Sequence, residues 1–205
     1  MSLLNKAEQR QVAEAIDHVE RTTDAELVTV LAGSADDYTY VPLIWAGLVA
    51  LLLPGLINVY GGWLDANQLL MTQIGTFIVV AVICRLQAVT SRLVPERVRH
   101  WRAGNLARRQ FLEQNLHKTV GGTGILIFVS EAERYVEILV DHGISHRVDD
   151  QVWRGMVDVF TQNVRDGKTL EGFLGCIQAC GQLLTEHVPV THARNELPNR
   201  LIILD

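Results

Sequence analysis

The chain has 205 residues and a formal net charge of −5, with 18 lysine and arginine residues against 23 aspartate and glutamate residues. This length allows one ordinary domain and one insertion. The acidic balance argues against nucleic-acid binding, which needs a positively charged surface, and three cysteines do not make a disulfide framework. We expect Cys176 and Cys180 to be reduced packing residues, which is a simpler interpretation than a redox or metal pair.

The first predicted elements are an amphipathic helix and a buried strand. Asn5 and Glu8 resemble a capping box, and apolar residues then recur at helical spacing up to Val19. Thr22–Asp24 ends this helix. The apolar, β-rich segment Glu26–Leu31 predicts a buried strand.

Two apolar runs of membrane-spanning length come next. They are Val41–Tyr60 and Leu69–Val89, the second uninterrupted only as far as Cys84. A membrane-spanning helix needs roughly 20 mostly apolar residues. Because only Gly61–Gln68 separates the two runs, they predict a transmembrane hairpin whose flanking segments lie on the same side of the membrane. Small and polar residues of the types that let two helices approach closely occur in both runs: Gly47, Gly55 and Asn58 in the first, and Thr72, Gln73, Gly75 and Thr76 in the second.

The arginines predict the orientation of this hairpin. Residues 85–109 contain seven arginines, whereas the loop Gly61–Gln68 contains no lysine or arginine. Positive residues stay on the cytoplasmic side, so we expect a multi-pass protein of a bacterial inner membrane with both termini in the cytoplasm. The side chains expected to meet anionic lipid headgroups at the membrane surface are Arg92, Arg97, Arg99, Trp101 and Arg102.

The remaining segments predict alternating helices and strands. The expected elements are a helix over Glu96–Lys118, strands over Ile125–Ser130 and Tyr135–Val140, and helices over Asp149–Asn163 and Thr169–Leu184; Leu201–Leu204 could form a short edge strand. The first two strands should pair in parallel through a crossover, and the third should join by a hairpin turn. This order predicts an α/β fold, an α/β/α sandwich on a small mixed central sheet.

The domain organisation follows from this order. Residues 1–38 and 91–187 should form one α/β domain, and residues 39–90 should form the hairpin, inserted in the first crossover connection. Residues 188–205 are expected to be a C-terminal tail.

Several short segments, in this order and spacing, resemble the TPM domain family. They are Thr23–Val28, Gly124–Ser130, Glu133–Ile138, His142–Ile144, Val164–Gly167 and the pair Glu171-Gly172. The family includes a thylakoid-lumen protein of photosystem II repair, an animal receptor-associated membrane protein and many bacterial membrane proteins. The resemblance implies an α/β/α sandwich. It also implies one of three roles: an acid phosphatase, as proposed for the plant member, a calcium-binding module, or an accessory protein of a membrane complex.

This chain departs from the family in two ways. Family members often carry aspartate and asparagine just before the second strand, where this chain has Gly121–Thr123. Many members also face the lumen, the periplasm or the cell exterior, whereas the arginines here predict a cytoplasmic domain. Both departures weaken the transfer of calcium binding or phosphatase chemistry.

The best chemical cluster in the sequence follows the third predicted strand. It consists of Asp141, His142, His146, Asp149 and Asp150. Its two imidazoles and its carboxylates could ligate a transition metal, and the carboxylates alone could bind calcium. The alternative is structural: Asp149 caps the next helix, Asp150 favours its positive end and the histidines are solvated.

Other motifs favour structural roles. Asp36-Asp37 fits a solvated linker. Gly121–Gly124 precedes a strand and is followed by no Lys-Ser/Thr pair, so it is not a phosphate-binding P-loop. Ser130 ends a strand with no helix directly after it, which does not fit a nucleophile elbow.

The sequence therefore favours a non-enzymatic protein of the membrane. Its expected partners are the lipid bilayer, anionic headgroups and an unidentified membrane protein for which it acts as an accessory or scaffold. The alternative is a metal-assisted phosphatase or a divalent-cation-binding module.

Overall fold

The computed structural model describes residues 4–62, 64–84, 94–191, 197–198 and 201–204. In chain order the elements are α1 (Lys6–Glu20), β1 (Glu26–Ala32), α2 (Tyr40–Gly61), α3 (Ala66–Cys84), α4 (Glu96–Glu113), a 3₁₀ turn (Leu116–Lys118), β2 (Gly124–Ser130), β3 (Tyr135–Val140), α5 (His142–Ser145), α6 (Asp150–Arg165), α7 (Thr169–His187) and β4 (Leu201–Leu204). The chain divides into two compact units. The sheet unit is Met1–Ala35 with His100–Asp205, and the hairpin unit is Asp36–Arg99.

The sheet unit is built on a mixed sheet in the order β3-β2-β1-β4. Strand β1 pairs in parallel with β2, with Val28 opposite Leu126, and in parallel with β4, with Val30 opposite Ile202. Strand β3 is antiparallel to β2. The predicted parallel pair, the hairpin turn and the C-terminal edge strand are all confirmed.

Helices cover both faces of this sheet. Apolar side chains of α1, α6 and α7 pack with Leu27, Leu31 and Ile127 on one face. On the other face, Ala103 and Ala107 of α4 pack with a group that includes Phe128. Because both faces are covered, every residue of β1 and β2 is buried. The predicted α/β/α sandwich is therefore confirmed.

The first helix is fixed at its start and along one face. The Asn5 side chain accepts hydrogen bonds from the backbone N–H groups of Ala7 and Glu8, each at 2.9 Å, and the Glu8 carboxylate accepts one from Asn5 N at 2.6 Å. This is the predicted capping box. The apolar face of α1 packs closely against α7, because a Cβ added at Gly181 of α7 would lie only 2.6 Å from Val19 Cγ2.

The hairpin unit contains two long apolar helices, α2 with 22 residues and α3 with 19. The predicted end of the second span at Val89 lies outside the described residues. The two helices pack together, and Ala46, Ala50 and Pro54 form a buried stripe along α2.

Small residues of the hairpin lie elsewhere than expected. We expected Gly47, Gly55 and Gly75 to let the two helices approach, but a Cβ at each would meet no atom within 4 Å. The small residues of α2 that are buried are alanines instead. Gln73 and Thr76 of α3 are half-buried, in line with the expectation, whereas Thr72 is exposed.

Two local features differ from the sequence prediction. The helix predicted over Glu96–Lys118 ends at Glu113, because Asn115 adopts a left-handed conformation with φ 58° and a 3₁₀ turn follows. The short helix α5 was not predicted. Its cap is Asp141, whose side chain accepts a hydrogen bond from His142 N.

Candidate functional site

A buried carboxylate holds together the carboxyl ends of β1 and β2. The Ser130 hydroxyl donates a hydrogen bond to Glu133, and the same carboxylate accepts hydrogen bonds from Ser34 Oγ at 3.2 Å and from Ala35 N at 3.1 Å. Glu133 is 2% exposed and Ser130 is fully buried. No base for Ser130 is evident from the sequence, whereas the structure gives its hydroxyl a carboxylate partner inside the protein. Ser130 ends β2, and Glu133 lies in the tight turn that follows.

A cavity of about 590 Å³ opens beside this turn. Its charged and polar lining includes Glu131 and Arg134 from the turn, with Arg165, Thr169 and Glu171 from the α6–α7 connection. Glu131 accepts a hydrogen bond from the Thr169 hydroxyl at 3.1 Å. The structure thus brings together three of the segments that resemble the TPM family, in a cavity whose charges have both signs.

The predicted metal cluster is divided between two helix caps. Asp141 accepts a hydrogen bond from His142 N at 2.7 Å and lies 3.0 Å from His142 Nδ1. Asp149 caps α6 by accepting a hydrogen bond from Gln151 N at 2.7 Å, and Asp150 lies in the first turn of that helix. The Asp149 cap and the position of Asp150 match the structural alternative, because a carboxylate stabilises the positive end of a helix, whereas the Asp141 cap was not predicted.

The structure shows no convergence of these ligand candidates on one point. Within the described part of the chain, no three His, Cys, Asp or Glu side chains form a group that could hold a metal ion. His146 is exposed at the end of α5. One carboxylate atom, Asp141 Oδ2, is buried and has no hydrogen-bond partner among the described residues. The metal site at these five residues stays a prediction.

The glycine loop before β2 closes against the turn that carries His142. Gly121 and Gly122 have φ values of 90° and 66°, and Gly143 N donates a hydrogen bond to Gly122 O at 2.9 Å. A Cβ at Gly122 would lie 2.3 Å from the His142 ring. Glycine is therefore required for backbone conformation and for close approach, which fits a strand-entry loop and not a phosphate cradle.

A polar cluster lies between β3 and α4, and the sequence analysis did not identify it. The Tyr135 hydroxyl donates a hydrogen bond to Glu137 Oε2 at 3.0 Å, and the His100 and Tyr135 rings lie 5.3 Å apart. A Cβ at Gly104 would lie 3.2 Å from the Tyr135 hydroxyl oxygen, so this glycine makes room for the pair. The available signal was the alternation along β3, which places Tyr135 and Glu137 on one face.

The ionisation of this cluster is set mainly by burial. Burial raises the pKa of Glu137 above its ordinary value, while the Tyr135 hydrogen bond and the Arg108 guanidinium act in the opposite direction. Burial and the Glu137 charge raise the pKa of Tyr135, so the phenol remains a hydrogen-bond donor. The carboxyl is thus closer to neutrality than an exposed glutamate, as expected for a partly desolvated acid.

Predicted membrane-surface residues lie on helix α4. They are Arg97, Arg99, Trp101 and Arg102. Trp101 is 60% exposed, and the Arg102 guanidinium carbon lies 5.1 Å from the centre of the Trp101 ring. Arg92 lies outside the described residues. A cation stacked on an exposed indole suits a polar–apolar boundary, although the membrane role of these residues remains a prediction.

Helices α2 and α3 are long and apolar enough to cross a membrane. Only 28% of the most apolar segment of α2 and 6% of that of α3 is buried. Large side chains such as Leu51, Val59 and Val82 are exposed along them. A core helix of a soluble domain buries its apolar side chains, whereas these helices leave most of theirs exposed.

Comparisons with known proteins point to one family. The sequence pattern of the TPM domain matches residues 65–183. The structure is similar to the NMR structure of the BA42 protein from the psychrophilic bacterium Bizionia argentinensis, with a TM-score of 0.61 and 16% sequence identity. That match covers 98% of this chain and 94% of the BA42 chain. No curated protein matches the chain significantly.

Proposed function

This chain belongs to the TPM domain family, and we propose that it is a membrane-anchored accessory protein. Helices α2 and α3 cross the bilayer, and the sheet unit binds another membrane protein. The observation that carries the proposal is the outward apolar surface of both helices. Because their backbone hydrogen bonds are internal, apolar helices of 22 and 19 residues suit a bilayer core.

The proposed orientation places the sheet unit in the cytoplasm of a bacterium, at the inner membrane. It is supported by seven arginines in residues 85–109 and by the absence of lysine and arginine from Gly61–Gln68. The arginines of α4, together with Trp101, suit contact with anionic lipid headgroups on that side.

An accessory role is favoured over catalysis by the surroundings of the candidate groups. A catalytic nucleophile must reach its substrate, and stabilising donors must point at the developing charge. The Ser130 hydroxyl is buried against Glu133, which also accepts hydrogen bonds from the loop after β1. Asp141 and Asp149 cap helices α5 and α6. These contacts give the polar groups structural tasks.

One observation favours the alternative of a cation-binding module or a metal-assisted phosphatase. Asp141 Oδ2 is buried and has no hydrogen-bond partner in the described part of the chain. A buried carboxylate oxygen without a partner is unfavourable, and a cation would relieve that cost. Asp150 and His146 are exposed and lie nearby in the sequence.

Two measurements on one preparation distinguish these functions. The tagged full chain is crosslinked in cells and purified in mild detergent. We expect a second integral membrane protein in fixed stoichiometry. It should also be recovered with a control chain in which residues 40–84 are replaced by an unrelated transmembrane hairpin, because the sheet unit carries the recognition.

The same preparation is then assayed with an aryl phosphate and divalent cations. We expect hydrolysis no faster than that of an Asp149→Ala/Asp150→Ala variant. Metal-dependent turnover that this double substitution abolishes would contradict the accessory function and support the phosphatase function. Failure to recover any stoichiometric partner would also count against the accessory function.

A further inference from the structure

Three sulfur atoms meet between helices α6 and α7, away from every site considered above. Cys180 Sγ lies 4.0 Å from Met156 Sδ. Cys176 lies one helical turn before Cys180 on the same helix. Cys176 and Met156 also line the same groove. Helix α6 therefore contributes one thioether, and helix α7 contributes two thiols one turn apart, to the same region.

The sulfur atoms are enclosed but adjacent to solvent. Cys180 is fully buried and Cys176 is 5% exposed. The groove beside them has a volume of about 340 Å³, and its lining includes Val152, Gly155, Val159, Gly175 and Ala179. A Cβ at Gly155 or Gly175 would meet no atom within 4 Å, so the groove is open at both glycines. Met156 and Cys176 line this groove, so an ion in it would meet their side chains, and Cys180 Sγ lies 4.0 Å from Met156 Sδ.

We infer that Met156, Cys176 and Cys180 form a binding site for a soft metal ion, with Cu(I) as the best match. Thiolate and thioether ligands select Cu(I) over harder divalent cations. A sulfur–sulfur distance of 4.0 Å lets both atoms contact one ion, since metal–thiolate bonds are about 2.3 Å long. Zinc is a poorer match, because structural zinc sites use four ligands and rarely thioether.

Binding is a ligand exchange in which no electron is transferred. Each thiol gives up its proton to solvent as a copper–sulfur bond forms, while the thioether uses a lone pair. Because the metal takes the place of these protons, binding of Cu(I) should release protons to solvent. This site is independent of the proposed accessory function.

Cu(I) is titrated anaerobically into the full chain in detergent, against a chromophoric Cu(I) chelator. We expect one ion per chain, ultraviolet thiolate-to-copper absorption and release of protons. Cys176→Ala/Cys180→Ala should lose this binding, and the control Cys84→Ala, which changes the cysteine outside the sheet unit, should keep it. Absence of binding to the wild type, or binding retained by the double variant, would overturn the site.

A second variant decides the matter if the double variant does not fold. Met156→Leu conserves volume in the groove and leaves both thiols in place. We expect it to melt, without metal, at the wild-type temperature and to bind Cu(I) more weakly than the wild type. Wild-type affinity in a folded Met156→Leu protein would remove the thioether from the site and contradict the inference.

Discussion

The Tyr135 hydroxyl donates a hydrogen bond to the Glu137 carboxylate at 3.0 Å, on the face of β3 that α4 covers. The two residues alternate with Val136, which packs into the core on the opposite face. The pair is therefore held by the pleat of the strand, and Gly104 of α4 leaves the space that it fills. Its protonation links the stability of the sheet unit to pH.

Stability should fall as Glu137 ionises. The pKa of Glu137 is raised in the folded protein, chiefly by burial. A carboxyl with a raised folded pKa contributes stability that is fully present below its unfolded pKa and is lost as the pH rises through its folded pKa. We therefore expect Glu137→Gln to gain stability relative to wild type as the pH rises from about 4 to about 7. Thermal melting of the full chain in detergent at several pH values measures this difference.

Tyr135→Phe provides the matched control. The Tyr135 hydrogen bond lowers the pKa of Glu137, so its removal should raise that pKa further and move the loss of stability to higher pH. It should also cost about 1–3 kcal/mol at neutral pH, as for a hydrogen bond to a charged group. If the melting temperatures of wild type and Glu137→Gln changed equally with pH over this range, the link between Glu137 ionisation and stability would be refuted.

Removal of the Glu133 carboxylate should destabilise the sheet unit, because its role is structural. Glu133→Ala would leave the buried Ser130 hydroxyl and the Ala35 N–H without their acceptor. We expect a loss of about 1–3 kcal/mol in the free energy of unfolding, measured by denaturant titration in detergent. Glu186→Ala, at an exposed position on α7, should stay within about 0.5 kcal/mol of wild type. Equal effects of the two substitutions would disprove the role given to Glu133.

Two glycines of helix α7 should respond to alanine with opposite signs. A Cβ at Gly172 would lie 2.4 Å from the buried Phe160 ring, which packs edge-on against Phe173. Gly172→Ala should therefore cost about 1–3 kcal/mol through overpacking. Gly175 has open space around its Cβ position, so Gly175→Ala should stabilise the helix by up to about 1 kcal/mol. Denaturant titration that shows the same sign for both would contradict the packing described here.

The elements and their order could be predicted because their signals are local. The continuous apolar run before Ser130 indicates a strand covered on both faces, and Asn5 with Glu8 indicates a helix start. The helix break at Asn115 was missed because left-handed asparagine is one of several conformations open to that residue. Apolar length predicted the hairpin, but its packing stripe depends on how α2 rotates, which length does not determine.

The polar clusters could not be predicted because their members come from distant segments. His100 and Arg108 lie on a helix, and Tyr135 with Glu137 lies on a strand, so only the packing of α4 on the sheet brings them together. The sulfur set likewise needs the pairing of α6 with α7. Helix capping by Asp149 could be predicted from the sequence, whereas capping by Asp141 could not, because α5 is too short to give a periodic signal.

The central claim is that α2 and α3 cross the bilayer with the sheet unit in the cytoplasm. Single cysteines at Asn67 and Arg109, both exposed, are placed in a chain lacking Cys84, Cys176 and Cys180 and treated with an impermeant thiol reagent on spheroplasts. We expect the residue-67 cysteine to react in intact spheroplasts and the residue-109 cysteine only after permeabilisation. The reverse pattern, or equal protection of both positions until permeabilisation, would contradict the claim.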